Sequence, residues 1–193
     1  RLMKHIKELG QSAVAITDHG VMYGCVDFYK KAKKEGIKPI IGCEVYVASR
    51  GRKDKVHRLD TYYHLVLLAK NNTGYANLSK IVSKGFTEGY YYKPRVDMEV
   101  LKEYSEGVIA LSACLAGEVQ RLLARDFYEE AVKAALKYEE IFGKGNFFLE
   151  LQDHGIPMQR KVNGDLMRMS RETGIELVAT NDVHYTYADD AKA

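Results

Sequence analysis

Apolar positions along the chain switch repeatedly between two periods. Leu2, Ile6 and Leu9 recur at helical spacing and stop at Gly10, and Ala13-Val-Ala-Ile-Thr17 follows as an apolar run of strand length. Residues 22–35 predict a helix closed by Gly36, and Pro39 to Val47 predict a strand. Tyr62 to Ala69 reads as a strand, followed by a helix to about Lys84. Val108 to Ser112 is strand-like, and Phe127, Ala131, Ala134, Tyr138 and Ile141 mark a helix that stops before Gly143. Phe147 to Leu151, residues 157–173 and Leu177 to Thr180 predict a strand, a helix and a last strand. Strands alternating with helices place the chain in the α/β class with a parallel sheet, doubly wound or closed into a barrel. Neither a Gly-x-Gly-x-x-Gly turn nor a P-loop follows any strand, which lowers the dinucleotide and nucleoside triphosphate readings.

A spacing rule sharpens the picture. Gly10 precedes Asp18 by eight residues, and the same interval separates Gly36 from Glu44, Gly145 from Asp153 and Gly174 from Asp182. Glycine closes a helix in the left-handed conformation, a short strand follows, and a carboxylate arrives where that strand ends. In a parallel sheet these ends share one face, which is where (β/α) barrels build their sites. Helix capping by acidic residues accounts for any one position equally well. Four equal spacings with histidines close by favour a site.

His19 follows Asp18, His184 stands two residues past Asp182, His64 lies in the strand from Tyr62, and Cys114 closes the strand from Val108. With Glu44 these are ligand types for zinc, manganese or iron rather than for an all-oxygen calcium or magnesium cage. Singly, His64 reads better as a hydrogen-bonded strand histidine and Cys114 as a small buried hydrophobe. His154 reads as a loop or helix-capping residue, and His5 and His57 as surface residues. The set as a whole carries the metal reading. A serine nucleophile has no Gly-x-Ser-x-Gly elbow to sit on.

Composition adds limits. The 193 residues are 46% hydrophobic and 28% charged, which suits one domain with a sizeable core. Three cysteines without a C-x-x-C pair point to a reducing compartment, and no apolar run is long enough to span a membrane. The net charge of +3 is too mild for binding DNA by charge alone. Basic residues are instead local. Arg50, Arg52, Lys53, Lys55 and Arg58 crowd one loop, and Tyr90-Tyr-Tyr-Lys-Pro-Arg95 mixes aromatics with Lys93 and Arg95 as candidate phosphate contacts. A solvated loop and packed tyrosines are the plainer readings of these two segments. The chain opens on Arg1 in a helix-like stretch and stops in what reads as the first turn of another helix, as a single domain cut at both ends would.

The residues resemble the PHP (polymerase and histidinol phosphatase) family over nearly the whole chain. The carriers are Ala15-Ile-Thr-Asp-His-Gly20, Lys38-Pro-Ile-Ile-Gly-Cys-Glu-Val-Tyr46, Tyr62-Tyr-His-Leu65, Glu88 to Asp97, Leu111-Ser-Ala-Cys-Leu-Ala-Gly-Glu118, Leu149-Glu-Leu-Gln-Asp-His-Gly155 and Ala179-Thr-Asn-Asp-Val-His-Tyr185. The Tyr-Lys-Pro-Arg and Leu-Gln-Asp-His-Gly blocks are similar to the branch carried in the alpha chain of bacterial replicative DNA polymerases. The resemblance implies a distorted (β/α)7 TIM-like barrel, here missing its first strand. It implies a cluster of up to three divalent ions, zinc first, with manganese or iron as alternatives. Six of the family's nine ligands map to His19, Glu44, His64, Cys114, Asp182 and His184. The other three, a His-x-His pair and an acidic residue, would precede Arg1. Cys114 stands where other members use His, and a thiolate adds weight to zinc. Asp182 and His184 would act through bound metal, and Asp18 would orient His19 or a neighbouring loop.

The activity implied is metal-dependent phosphodiester hydrolysis, a 3′–5′ exonuclease where all nine ligands are kept. The parent chain would synthesise DNA with magnesium at a polymerase site outside this segment. Six retained ligands favour an intact site. Two alternatives stand beside it: a silent scaffold that stabilises the polymerase and docks a proofreading subunit, and a free-standing phosphatase for a substrate such as histidinol phosphate. DNA, the remainder of the polymerase alpha chain and a proofreading exonuclease subunit are the implied partners, in the cytoplasm with no membrane.

Overall fold

A computed structural model describes residues 1–56 and 61–192. Its helices are α1 (Leu2–Glu8), α2 (Cys25–Lys34), α3 (Asn72–Thr87), α4 (Met98–Glu103), α5 (Glu118–Ala124), α6 (Tyr128–Phe142) and α7 (Pro157–Thr173). Its strands are β1 (Ala13–Ile16), β2 (Lys38–Ala48), β3 (Tyr62–Ala69), β4 (Tyr90–Tyr91), β5 (Lys93–Val96), β6 (Val108–Leu111), β7 (Phe147–Leu151) and β8 (Leu177–Ala179). Local chemistry sets the helix ends: Asn71 caps α3 by accepting the Gly74 amide at 2.9 Å, Pro157 opens α7, and Gly174 closes α7 in the left-handed region. The short helices α4 and α5 and the β4–β5 hairpin lie in stretches where the apolar pattern predicts no element.

The sheet curls into a distorted, open barrel. Around it run β1, β2, β3, β6, β7 and β8, with β5 and β4 extending from the far half of β2. The expected all-parallel sheet does not form. β3 runs antiparallel to both neighbours, β2 and β6, whereas β1–β2, β6–β7 and β7–β8 are parallel. A parallel return needs a crossover long enough to hold an element, usually a helix. Among the described residues no helix lies between β2 and β3, so the strand returns reversed. Its beginning therefore lies at the face where the parallel strands end, and this is how His64, near the start of β3, reaches the carboxylates. Among the described pairings, β1 and β8 each pair on one side only.

Strand alternation sorts side chains into two layers. Val45, Val47, Leu65, Leu67, Val108, Ala110, Phe147 and Leu149 face outward into the main core beneath Leu78, Ile81, Tyr138, Leu166 and Met169 of the helices. Val66, Leu111 and Ala113 pack inside the barrel with Leu68, Ile109, Phe148 and Val178. A separate cluster of Met3, Ile6, Phe28, Ala32 and Ile37 seats α1 and α2 beside β1. The inward parity also carries Glu44, Tyr46, His64 and Glu150, so the alternation that builds the core delivers polar groups to one cavity.

All four glycines of the eight-residue spacing adopt positive φ, from +69° at Gly10 to +79° at Gly174. Their roles differ. Gly10, Gly36 and Gly174 close helices, but α6 is closed by Gly143, and Gly145 sits in the turn beyond it.

Candidate metal centre

Backbone pairing brings the first three candidate side chains together. The Asp18–Gly20 segment prolongs β1 along β2: Glu44 N–H donates to Asp18 C=O at 3.1 Å and Gly20 N–H to Glu44 C=O at 2.9 Å. His19 and Glu44 thereby face each other as a bridge pair. Across the sheet His64 pairs with Tyr46, which leaves Glu44 diagonal to it. Donor atoms of His19, Glu44 and His64 all lie within 4.8 Å of one another, and Glu44 is almost fully buried. His64 Nδ1 is 2.6 Å from Glu44 Oε1, and His19 Nε2 is 3.5 Å from Glu44 Oε2. Burial opposes a charge on His64, but hydrogen bonds to Cys114 and Glu44 outweigh it and raise the imidazole to about 9.

The remaining candidates enter from β6 and β8. His64 N–H donates to Ala116 C=O at 3.1 Å, tying the Cys114 turn to β3. Ala113, just before Cys114, has φ +64°, and Asp182 has φ +45°. His184 lies with its ring centroid 5.9 Å from that of His19, and its Nδ1 is 2.8 Å from the Asp182 carbonyl oxygen. His19, Glu44, Cys114, Asp182 and His184 line one cleft of about 830 Å³ that runs into the barrel, and the His64 ring stands behind His19 with centroids 5.3 Å apart. The donor set of three imidazoles, two carboxylates and one thiol fits a borderline divalent cation such as zinc. Asp18 also lines the cleft, but its carboxylate faces the turn before α2: Oδ2 is 3.4 Å from where a Cβ on Gly24 would stand.

The basic segments divide. Arg95 is 1% exposed, and its guanidinium donates to the carbonyls of Gly89, Arg52 and Asp54 at 2.6–3.2 Å. The expectation that Arg95 contacts phosphate is therefore corrected: the polar alternative for its head is a set of buried backbone acceptors, and it staples the hairpin to the loop. Arg52 is likewise buried, held by Asp97, Glu88 and Glu99, so it does not belong to a solvated basic patch. Lys93 differs. It is exposed and its Nζ stands 5.5 Å from the Tyr46 ring centroid, beside His64 and His19. Lys53 and Lys55 are exposed, and Arg58 and His57 lie outside the described residues.

Sequence reasoning chose the wrong carboxylate on β7. Asp153 is exposed and accepts the Gly155 amide at 2.9 Å. The cleft is lined instead by Glu150, 4% exposed, whose carboxylate accepts from Ala113 N–H at 3.0 Å, from Gln152 Nε2 at 3.0 Å and from the Thr180 hydroxyl. Burial pushes its carboxyl above the usual range against those hydrogen bonds. A lone acid at inward parity within Phe147–Leu151 was the available signal. His154 also does more than cap: its Nε2 lies 2.7 Å from the Asn181 carbonyl oxygen, and Gln159 Nε2 meets its Nδ1 at 2.9 Å, which fixes the proton on Nε2.

Comparison with known proteins agrees with this architecture. The PHP domain family matches residues 1–154. The chain is 50% identical over 195 residues to DNA polymerase III subunit alpha of Treponema pallidum and 46% identical over 197 residues to that of Thermus aquaticus. Both alignments cover all of this chain but only 17% and 16% of those proteins, so the chain spans about one sixth of their length. Among solved structures, an amidohydrolase from Chromobacterium violaceum aligns with TM-score 0.59 at 13% identity, covering 98% of this chain and 82% of that one. A candidate metal-dependent phosphoesterase from Bifidobacterium adolescentis aligns with TM-score 0.55 at 14% identity, covering 96% and 82%. These two share the fold. No helix among the described residues is long and apolar enough to cross a membrane. With the family matching most of its length and a barrel of the expected kind beneath the match, the chain belongs to the PHP domain family.

Proposed function

We propose that this chain is the PHP domain of a bacterial replicative polymerase alpha subunit and that it hydrolyses phosphodiester bonds at a DNA 3′ end with bound divalent metal. The observation that carries the reading is the convergence of His19, Glu44 and His64 on one point, with Cys114, Asp182 and His184 in the same cleft. His19, Glu44 and His64 would hold one ion, and Cys114, Asp182 and His184 would hold further ions of a cluster of up to three. Zinc is favoured by the thiol and imidazoles, over manganese or iron. Bound metal supplies a lowered pKa for water and charge stabilisation on the scissile phosphate. The chain does the rest. Glu44 fixes both imidazoles, the apolar barrel floor limits water, and Lys93 at the mouth offers a cation to the backbone of an incoming strand. Within the whole protein, DNA synthesis would run at a separate magnesium site, in the cytoplasm, with the rest of the alpha chain as the constant partner. The one-sided pairing of β1 and β8 supports completion of the barrel by a further strand carrying the remaining ligands.

A silent scaffold that docks a proofreading subunit is the second reading, since the same fold serves it without metal. A free-standing phosphatase fits less well, because the relatives matched over the whole chain are proteins about six times longer. The test uses the full polymerase chain with its polymerase site disabled. Metal is counted by elemental analysis, and a labelled primer is digested with and without His184→Ala. Two or three metals per chain and digestion lost in the variant are expected. Absence of metal-dependent digestion would leave the scaffold.

A further inference from the structure

The two loops that bring Cys114 and Asp182 to the cleft meet at one buried side chain. We propose that Glu150 is a positioning residue that sets these loops at a fixed separation, one carboxylate oxygen holding the Ala113 amide and the other the Thr180 hydroxyl. The proposal rests on the metal reading for its purpose but not for its geometry.

Three observations carry it. Oε2 accepts from Ala113 N–H at 3.0 Å, and Ala113 is the residue before Cys114, with φ +64°. Oε1 accepts from Thr180 Oγ1 and from Gln152 Nε2, and Thr180 stands two residues before Asp182, with φ +45°. A non-glycine residue holds positive φ only where its surroundings over-determine it. Both strained positions thus flank contacts of one carboxylate. Glu150 is itself locked: its N–H donates to Ser112 Oγ at 2.8 Å, and Gln120 Nε2 donates to that same hydroxyl at 2.6 Å.

The network continues outward. Asn163 Nδ2 donates to the Gln152 carbonyl at 2.9 Å, and His154, gripped twice by Gln159, donates to the Asn181 carbonyl. The β8 loop is therefore held at two successive residues, at Thr180 from inside the barrel and at Asn181 from its rim. A carboxylate suits the inner post because it accepts on both oxygens at once, where an amide offers one acceptor. Partners behind metal ligands commonly act this way, and losing one costs about ten- to a hundredfold in metal affinity.

The experiment compares full-length protein with Glu150→Gln, Thr180→Val and Thr180→Ser. Amide hydrogen exchange is measured without metal at Ala113 and across residues 180–184, beside the thermal midpoint. Cobalt(II) binding is then followed by the thiolate-to-cobalt band that reports Cys114. Glu150→Gln and Thr180→Val should speed exchange in the 180–184 loop about tenfold while α6 and α7 stay protected. Glu150→Gln should also release the Ala113 amide, and Thr180→Ser should restore wild-type behaviour. Cobalt affinity should fall about ten- to a hundredfold in Glu150→Gln, with the thiolate band weakened. Unchanged loop exchange in both Glu150→Gln and Thr180→Val, with the midpoint intact, would overturn the proposal. If wild-type protein shows no thiolate band, the metal reading fails, and the exchange arm still decides whether the clamp exists.

Discussion

His64 Nδ1 lies 2.6 Å from Glu44 Oε1, although the direct cross-strand partner of His64 is Tyr46. The contact is diagonal across an antiparallel pair, and it forms because both side chains point to the inner face of the barrel. Glu44→Gln removes the negative charge and should destabilise metal-free protein by about 2 kcal/mol, the scale of a hydrogen bond to a charged group. It should also abolish stoichiometric metal uptake. Chemical denaturation and elemental analysis check the two outcomes separately.

Lys93 and Arg95 should behave oppositely despite being two residues apart. Lys93→Ala should leave the fold intact, weaken binding of single-stranded DNA at low salt and reduce the salt slope by about one. Arg95→Ala strands three backbone carbonyls and opens a cavity, so it should cost about 3 kcal/mol of stability and lower DNA binding only as far as folding is lost. Binding isotherms at several salt concentrations, set against melting curves, separate the two.

The Arg52 cluster predicts an acid limb. Glu88 is held down at about 2 by its contacts with Lys84 and Arg52. A carboxyl lowered in the folded state contributes stability above its unfolded value near 4.5, and that contribution is lost as pH falls through about 2. Glu88→Gln should flatten the stability profile in that window and leave it unchanged near neutrality in slope. Denaturation midpoints between pH 2 and 6, on an order-of-magnitude grid of about one unit, read the difference.

Gly74 sits in the first turn of α3, where a Cβ would stand 1.7 Å from the Gly107 carbonyl oxygen. Alanine gains about 1 kcal/mol of helix propensity over glycine. That gain is smaller than the cost of driving two backbones apart, so Gly74→Ala should be net destabilising by about 2 kcal/mol or more. A raised melting temperature would show that the turn before β6 yields freely.

Most elements were legible because their signals are local. Helix α7 and strands β3 and β7 were predicted with the bounds they adopt, since Pro157, Gly174 and unbroken apolar runs mark their ends. The reversal of β3 was not legible: a strand's direction depends on the connection before it, and Tyr62 to Ala69 reads the same either way. Arg95 and Arg52 misled because charge in a sequence signals exposure, whereas three backbone carbonyls compensate Arg95 and three carboxylates compensate Arg52 here. Glu150 was overlooked for the converse reason. A single acid inside an apolar strand looks like an exception until the facing loops supply its partners.

The candidate ligands begin with His19 after β1 and end with His184 after β8, near opposite ends of the chain. During synthesis the first of them leaves the ribosome long before the last, and domains generally fold as units once their residues are available. A nascent chain could therefore gather His19, Glu44 and His64 once β3 has emerged, but the full candidate set only after Asp182 and His184 have followed. On the metal reading, full loading would then wait for β8, and a chain broken before it would lack Asp182 and His184 while keeping the His19–Glu44–His64 group.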